Sequence, residues 1–279
     1  MSLKALINTA SGNIPADAES LLTDALGSRL ERSVTCTGLN LHDALDDIQM
    51  RPEDTLIVWG GDGTVSAALT ASIKTGASII PLPGGTMNLL HGRVHGQNND
   101  WRETLNSALD CPSKESLTYA QVNGTPAYVA VMAGRLTHLS QSREALREKS
   151  LVRAVQDVVD TDALSLETSL VAKIDTECLP ATAAAAFLPE ATVGAHLDVG
   201  IIDPDTLFDL AATSLSAALQ NWRTASGMTF RQSETLRLES ASSDHIDVLI
   251  DGEQTETTSP IKVVICSGDV FVRSAQARP

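Results

Sequence analysis

The segment Gly60-Gly61-Asp62-Gly63-Thr64 follows the apolar run Leu56-Ile57-Val58-Trp59 and opens a helical pattern, the setting in which backbone amides at a helix start meet a phosphate. Glycines let the backbone approach a ligand closely, the first amides of the helix have no intrahelical acceptor, and the helix dipole favours negative charge there. Thr64 adds a hydroxyl. Asp62 would repel a bare phosphate, so a carboxylate at this point predicts a bridging Mg²⁺ or an acceptor hydroxyl. A plain strand-to-helix turn uses the same residue types, but a second Gly-rich turn, Pro83-Gly84-Gly85-Thr86-Met87-Asn88, follows the next apolar run. Neither turn is a P-loop, and the dinucleotide fingerprint fails because Ser66 stands at its third glycine. Far downstream, Asp251-Gly252-Glu253 follows the run Ile246-Asp247-Val248-Leu249-Ile250. By itself that Asp-Gly pair reads as a hairpin turn.

These loops need elements to hold them. Residues 3–8, 33–37, 55–59 and 78–82 read as short buried strands. Between them, 16–30 places Ala18, Leu21, Leu22, Ala25 and Leu26 on one helical stripe, 41–48 keeps that spacing, and the Ala-rich 64–74 ends before Gly76, a helix-terminating signal. Such alternation predicts an α/β domain with a mostly parallel sheet covered on both faces, its Gly-rich turns lining one crevice at the carboxyl ends of the strands. From 117 the character changes: strand-like 117–122 and 127–132 flank Asn123-Gly124, a strong hairpin signal. Further strands are expected over 166–174, 196–202, 235–239, 246–250, 261–266 and 270–273, with helices over 140–160 and 205–222. Residues 181–186, all small and flanked by prolines, fit an edge strand or a loop. The expected organisation is an α/β domain over 1–116 and a β-rich, antiparallel domain over 117–279.

With 279 residues and 43% hydrophobic content, the chain can bury sizeable cores, which excludes disordered and fibrous classes. Asp plus Glu number 35 against 20 Lys plus Arg, and the net charge of -15 argues against a general nucleic-acid binder. No apolar run approaches the roughly 20 residues of a spanning helix, and the first residues lack a secretory leader pattern, so a cytoplasmic location is expected. Cys36, Cys111, Cys178 and Cys266 are widely spaced with no Cys-x-x-Cys pair, which fits reduced thiols. His91 and His95 have an i, i+4 spacing but no third ligand nearby, so no zinc site is expected.

Taken together, the motifs resemble the diacylglycerol kinase-like lipid kinases, a family that includes bacterial diacylglycerol and phosphatidylglycerol kinases, ceramide kinases and sphingosine kinases. Asn8-Thr9-Ala10-Ser11-Gly12 looks like the opening Asn-Pro-x-Ser-Gly loop, Gly60 to Thr64 is the Gly-Gly-Asp-Gly-Thr signature, Gly85-Thr86-Met87-Asn88 matches Gly-Thr-x-Asn, and Asp251-Gly252-Glu253 matches the late Asp-Gly-Glu. The resemblance implies an N-terminal three-layer nucleotide domain related to those of NAD kinases and phosphofructokinases, and a C-terminal antiparallel β-sandwich. It implies ATP- and Mg²⁺-dependent transfer of a phosphoryl group to a hydroxyl of a diacylglycerol-like or related lipid. Asn8, Thr37, Gly60, Gly61, Gly63, Thr64, Gly85, Thr86 and Asn88 would surround ATP. Asp251 is expected as the base that takes the hydroxyl proton, with Glu253 beside it, and Asp62 as the group organising metal or acceptor.

Four positions depart from the family pattern. Ser66 and Ala67 replace the usual Asn-Glu, Leu89 replaces the Asp that commonly follows the Gly-Thr-x-Asn turn, and Thr9 stands where proline is common. The two lost carboxylates keep open a second reading, a nucleotide- or lipid-binding member with impaired catalysis. NAD kinase shares the Gly-Gly-Asp-Gly-Thr motif, but its later Gly-rich motif and Asn-Glu pair are not evident. A basic stretch over 142–153 is either a solvated helical face or a guide to anionic headgroups. Expected partners are ATP, a lipid substrate and a transient membrane surface, with no nucleic acid; a homodimer is compatible with the sequence but not specified by it.

Overall fold

The computed structural model describes residues 2–96, 98–111, 113–134, 137, 170–189, 196–202 and 228–275. The helices expected over 140–160 and 205–222, and the basic stretch over 142–153, lie outside them. The chain forms two compact units. Among the described residues, the first comprises 2–119 and 266–275 and the second 120–189 and 196–265. The last described segment thus belongs with the first unit, although the reading from sequence assigned all of 117–279 to one C-terminal domain.

In the first unit β1 (Ser2–Asn8), β2 (Leu30–Cys36), β3 (Asp54–Gly60) and β4 (Ser78–Pro83) pair in parallel in the order β2-β1-β3-β4. Every residue of β3 is buried, as expected of a strand covered on both faces. One face packs Leu3, Ala5, Ile7, Ile57, Trp59, Ile80 and Leu82 against α1 (Ala18–Leu26) and α5 (Trp101–Asp110). On the other lie α2 (Leu41–Ile48) and α3 (Asp62–Thr75), the latter ending at Gly76 with φ 72°. A short helix, α4 (Leu89–His95), packs on β4 and α3. Gly27, at φ 54°, ends α1, and a 3-10 turn over Gly27–Arg29 leads into β2, so the helix is shorter than the expected 16–30 and spans just the apolar stripe from Ala18 to Leu26. Following β5 (Glu115–Ser116), the sheet is completed from the far end of the sequence by β18 (Phe271–Val272), parallel to β4 and antiparallel to β5.

A buried ion pair secures the amino ends of these strands. Lys4 Nζ lies 2.7 Å from Asp54 Oδ2, with side chains 4% and 1% exposed, and donates to the Gln49 carbonyl at 2.8 Å.

The second unit is a β-sandwich. Its remaining strands are β6 (Tyr119–Val122), β7 (Thr125–Ala127), β8 (Ala130–Gly134), β9 (Leu170–Ile174), β10 (Glu177–Ala181), β11 (Ala183–Phe187), β12 (Leu197–Ile202), β13 (Met228–Ser233), β14 (Thr235–Ser240), β15 (His245–Ile250), β16 (Glu253–Thr258) and β17 (Ile261–Cys266). One sheet runs β10-β9-β14-β17-β6-β7 and the other β13-β12-β11-β8-β15-β16. Alternate residues of both sheets, among them Val122, Val131, Ala172, Ala184, Val199, Leu238, Val248 and Val263, form one core. Asn123 (φ 48°) and Gly124 (φ 93°) make the β6–β7 hairpin turn that their dipeptide predicted. The small residues 183–186 form neither an edge nor a loop: β11 pairs on one side with β8 and on the other with β12. Pro180 takes the edge position instead, on β10. Among the described residues no helix is long and apolar enough to cross a membrane.

Candidate phosphate-binding site

Three loops at the carboxyl edge of the parallel sheet are knit into one cradle. After β1 the chain turns through 9–14; after β3 it enters α3; after β4 it enters α4. Asn13 bridges the first loop to the third, its backbone N donating to the Gly84 carbonyl at 3.0 Å and its Nδ2 to the Gly85 carbonyl at 2.7 Å. Ser11 Oγ accepts from the Gly61 amide at 3.0 Å, and Asn8 Nδ2 donates to Thr64 Oγ1 at 2.8 Å, which leaves the Thr64 hydroxyl hydrogen free to point elsewhere. Trp59, the last side chain before the glycines, donates from Nε1 to the Pro83 carbonyl at 3.1 Å.

The glycines are explained by how closely these loops approach. A Cβ on Gly84 would sit 2.4 Å from Ile14 Cδ1 and 2.9 Å from the Gly60 nitrogen; one on Gly85 would sit 2.8 Å from Gly61 Cα. On Gly60 it would meet the Thr64 side chain at 2.7 Å. Backbone lies against backbone here, a contact that a methyl group would prise open. Gly84 is required for this packing.

What the cradle presents is the amino end of α3. Its N-cap, Gly61, offers no side chain, and the first intrahelical bond is from the Val65 amide to the Gly61 carbonyl at 3.1 Å. The amides of Asp62, Gly63 and Thr64 therefore have no acceptor among the described residues, and they converge where the dipole of a 14-residue helix is most positive. That arrangement fits a phosphate. Asp62 Oδ1 accepts from the Leu90 amide at 2.8 Å, which fixes the carboxylate against the start of α4, while Oδ2 has no partner among the described residues. Among those residues no group of three or more His, Cys, Asp and Glu side chains is arranged to hold a metal ion. The donor set fits Mg²⁺ in the manner usual for that ion with nucleotides, in which one carboxylate joins phosphate oxygens and waters.

The other expected nucleotide ligands divide into two groups. Asn8, Gly60, Gly61, Gly63, Thr64 and Gly85 meet in the cradle, with Gly60 and Gly85 acting through close packing. Asn88, at φ 52°, accepts from the Gly85 amide at 2.7 Å through Oδ1 and so shapes the third loop. Thr86 is exposed on that loop. Thr37 is exposed after β2, its amide and hydroxyl both donating to Asn40 Oδ1 at 2.8 and 3.1 Å. Ser11, Asn13 and the Leu90 amide hold the site together, yet sequence reasoning did not single them out; a polar loop residue carries no mark of which carbonyl it will meet.

His91 and His95 are buried on α4 and held separately. His91 Nδ1 and Nε2 lie 3.0 and 2.6 Å from the Pro81 and Asn98 carbonyls, and His95 Nδ1 accepts from the Ala275 amide at 2.9 Å. These bonds tie both rings to the backbone around α4.

In the second unit, Asp251 (φ 51°) and Gly252 (φ 88°) form the turn between β15 and β16. Asp251 Oδ2 accepts from the Tyr128 amide at 2.8 Å, and Oδ1 from the amides of Val129 and Ala130 at 2.7 and 3.1 Å. Its own amide donates to the Ala130 carbonyl at 2.9 Å. Glu253, the first residue of β16, is exposed, and its side chain makes no hydrogen bond or ion pair among the described residues.

Residues 2–118 match the family model of the diacylglycerol kinase catalytic domain. The whole chain shares its fold with solved structures from Bacillus anthracis str. Sterne: one described as a "putative diacylglycerol kinase" (16% identity, TM-score 0.73, covering 98% of this chain and 96% of that one) and another described as a diacylglycerol kinase (15% identity, TM-score 0.71, covering 98% and 96%). No curated protein sequence matches the chain.

Proposed function

We propose that this chain is a member of the diacylglycerol kinase-like family, whose catalytic-domain model residues 2–118 match, and that it transfers the γ-phosphoryl group of ATP, with Mg²⁺, to a hydroxyl of a diacylglycerol-like or related lipid. The observation that carries this reading is the uncapped amino end of α3 with the Asp62 carboxylate standing in it. Three free amides and a helix dipole suit the phosphates; a lone carboxylate among them is electrostatically unfavourable unless a cation or a reacting hydroxyl uses it.

In such a transfer the protein supplies alignment and charge neutralisation, because the transition state is loose and its charge is spread over phosphoryl oxygens. The amides of residues 62–64 and the Thr64 hydroxyl would hold the phosphates, and Asp62 Oδ2 would meet the metal or the acceptor. Asp62 would hold Mg²⁺, which would supply neutralisation of the phosphate charge. A further carboxylate takes the acceptor proton, and the Asp-Gly-Glu turn is its candidate source.

A lipid acceptor is supported by the exposed apolar side chains. Among the described residues the large hydrophobics left exposed are Leu39, Met87 (61%) and Leu89 (43%), and all three follow the carboxyl ends of β2 and β4, Leu39 in a 3-10 turn, Met87 on the third loop and Leu89 at the start of α4. Leu89 directly precedes the amide that fixes Asp62. Isolated exposed hydrophobics are ordinary, but clustering on the edge that bears the phosphate cradle suits an acceptor with hydrocarbon. The test is transfer of labelled γ-phosphate from ATP into the organic phase of a mixed bacterial lipid extract. Labelled lipid is expected with the wild type, reduced at least 100-fold in Asp62→Asn and with its KM for lipid raised about 10-fold in Met87→Gln/Leu89→Gln. ATP binding with no transfer to any lipid would refute the kinase reading and favour the catalytically impaired alternative that Ala67 and Leu89 suggest.

A further inference from the structure

We propose that the segment 273–275 positions the Asp62 carboxylate through α4, with Ser274 and His95 as the positioning residues. Every residue involved belongs to the first unit. The consequence for Mg²⁺ rests on the kinase reading above, whereas the positioning itself does not. Its starting point is the bond from the Leu90 amide to Asp62 Oδ1 at 2.8 Å. At its start α4 carries Leu89 and Leu90, so what it offers Asp62 is a backbone donor and not a charge. That donor fixes the carboxylate only as firmly as α4 is itself held. A helix of seven residues with Gly92 at its centre does not hold itself, because so short a helix is marginal alone and glycine loosens it further.

The chain beyond β18 supplies the missing restraint. The Arg273 amide donates to the Ile79 carbonyl at 3.0 Å, its Nε to Thr55 Oγ1 at 3.2 Å and its Nη1 to the Cys111 carbonyl at 2.8 Å. Thr55 is in β3 and Ile79 in β4, so the segment is referenced to the strands that lead into the second and third loops of the cradle. The next two residues fasten α4. Ser274 Oγ donates to the Val94 carbonyl at 2.8 Å, and the Ala275 amide donates to His95 Nδ1 at 2.9 Å. The last carbonyls of a helix lack donors within it, and here a hydroxyl from 180 positions along the chain reaches one of them. Ser274 and His95 are both buried. The middle of α4 is held separately, by His91 against the Pro81 and Asn98 carbonyls and by Arg93 Nη2, which donates to the Thr118 carbonyl at 2.6 Å.

The distance to be bridged is small. Val94 and Leu90 are four residues apart, about 6 Å along the axis, and lie one above the other on the same face. Both side chains are fully buried, so a tilt of the last turn is passed to the first. A closed path of bonds results: β3 leads to Asp62, β4 leads to α4, and β18, parallel to β4, leads to the residues that pin the end of α4. With Oδ1 held by Leu90, the direction of Oδ2 toward a metal or an acceptor is set.

The experiment compares Ser274→Ala, His95→Leu and His95→Asn by amide hydrogen exchange, ATP titration and lipid phosphorylation. Ser274→Ala and His95→Leu each remove one bond to α4. Both are expected to accelerate exchange at the Leu90 amide about 5-fold and to raise the Mg²⁺ concentration for half-maximal transfer about 5-fold, with ATP affinity in the absence of metal unchanged. His95→Asn keeps an acceptor at the place of Nδ1 and should restore both. In an Asp62→Asn background, which retains Oδ1, Ser274→Ala should leave the Mg²⁺ requirement where Asp62→Asn alone puts it, since the two act through one group. Faster exchange confined to the Gly96 amide at the end of α4, with Leu90 as in the wild type, would overturn the proposal. So would an equal Mg²⁺ shift in the Asp62→Asn background. A wild type that transfers no phosphate would refute the kinase reading, while exchange at Leu90 still decides the positioning.

Discussion

The fit between the two glycine loops makes a prediction of opposite sign at two glycines only seven residues apart. In Gly85→Ala the new methyl carbon would lie 2.8 Å from Gly61 Cα and 3.3 Å from Asn88 Oδ1. Restoring ordinary contact requires the loops to part by roughly 0.6–1 Å, and overpacking of this kind costs about 1–3 kcal/mol. The displacement also strains the bonds that Gly85 makes, its carbonyl accepting from Asn13 Nδ2 and its amide donating to Asn88 Oδ1, both at 2.7 Å. In Gly92→Ala, by contrast, nothing lies within 4 Å of the new carbon, and the residue sits inside α4. Replacing glycine there should stabilise by about 0.5–1 kcal/mol, through helix propensity and a less flexible unfolded chain. At about 2–4 °C per kcal/mol, Gly85→Ala should lower Tm by roughly 2–12 °C and Gly92→Ala raise it by roughly 1–4 °C. Thermal unfolding by circular dichroism reads both, and nucleotide titration should show weakened ATP binding in Gly85→Ala alone. Equal and small shifts in the two variants would refute the claim that backbone-to-backbone packing shapes the cradle.

Breaking the buried pair at the other end of the sheet should be far more damaging. Lys4→Met alone leaves the Asp54 carboxylate buried without its cation and is expected to cost about 3–5 kcal/mol by denaturant unfolding, much of it regained in Lys4→Met/Asp54→Leu. Asp100, whose side chain accepts from the amides of Arg102 and Glu103 at 2.9 Å, caps α5; Asp100→Ala should cost about 1 kcal/mol in the same assay. Thiol labelling should separate the cysteines by pH. Burial raises the pKa of Cys36, so its reactive thiolate forms only at higher pH than in an exposed cysteine; at pH 8 a disulfide reagent should modify the exposed Cys178 first and Cys36 slowest, as read by mass spectrometry.

How much of this was legible in the sequence follows from which forces act locally. The parallel strands and α2 and α3 were readable because covered strands are apolar runs and covered helices carry stripes, and Gly76 and Asn123-Gly124 mark positive φ. Likewise the glycine signature of the cradle is readable, since close backbone approach excludes side chains. The helix α4 was missed because Gly92 interrupts it and its stripe is built from Leu90, His91, Val94 and His95 rather than aliphatic residues alone. The central placement of β11 was misjudged because its prolines are near in sequence but lie outside it: Pro180 belongs to the edge strand β10. The return of β18 to the first sheet depends on two residues pairing across more than 150 positions, for which no local signal exists. Within the late motif, the sequence supplied two carboxylates but could not tell that three amides would occupy one of them; that difference is set by the β7–β8 corner, far away in the chain.

The measurement that bears most directly on the central claim is amide NMR of the protein titrated with ATP and Mg²⁺, with adenosine as the comparison. Phosphate binding at the start of α3 predicts that the amide protons of Asp62, Gly63 and Thr64 move strongly downfield with ATP and remain unmoved with adenosine, the change at Asp62 being larger when Mg²⁺ is present. If ATP binds while those three amides stay in place and the largest shifts fall elsewhere, the phosphate cradle is not the nucleotide site and the account built on it is wrong.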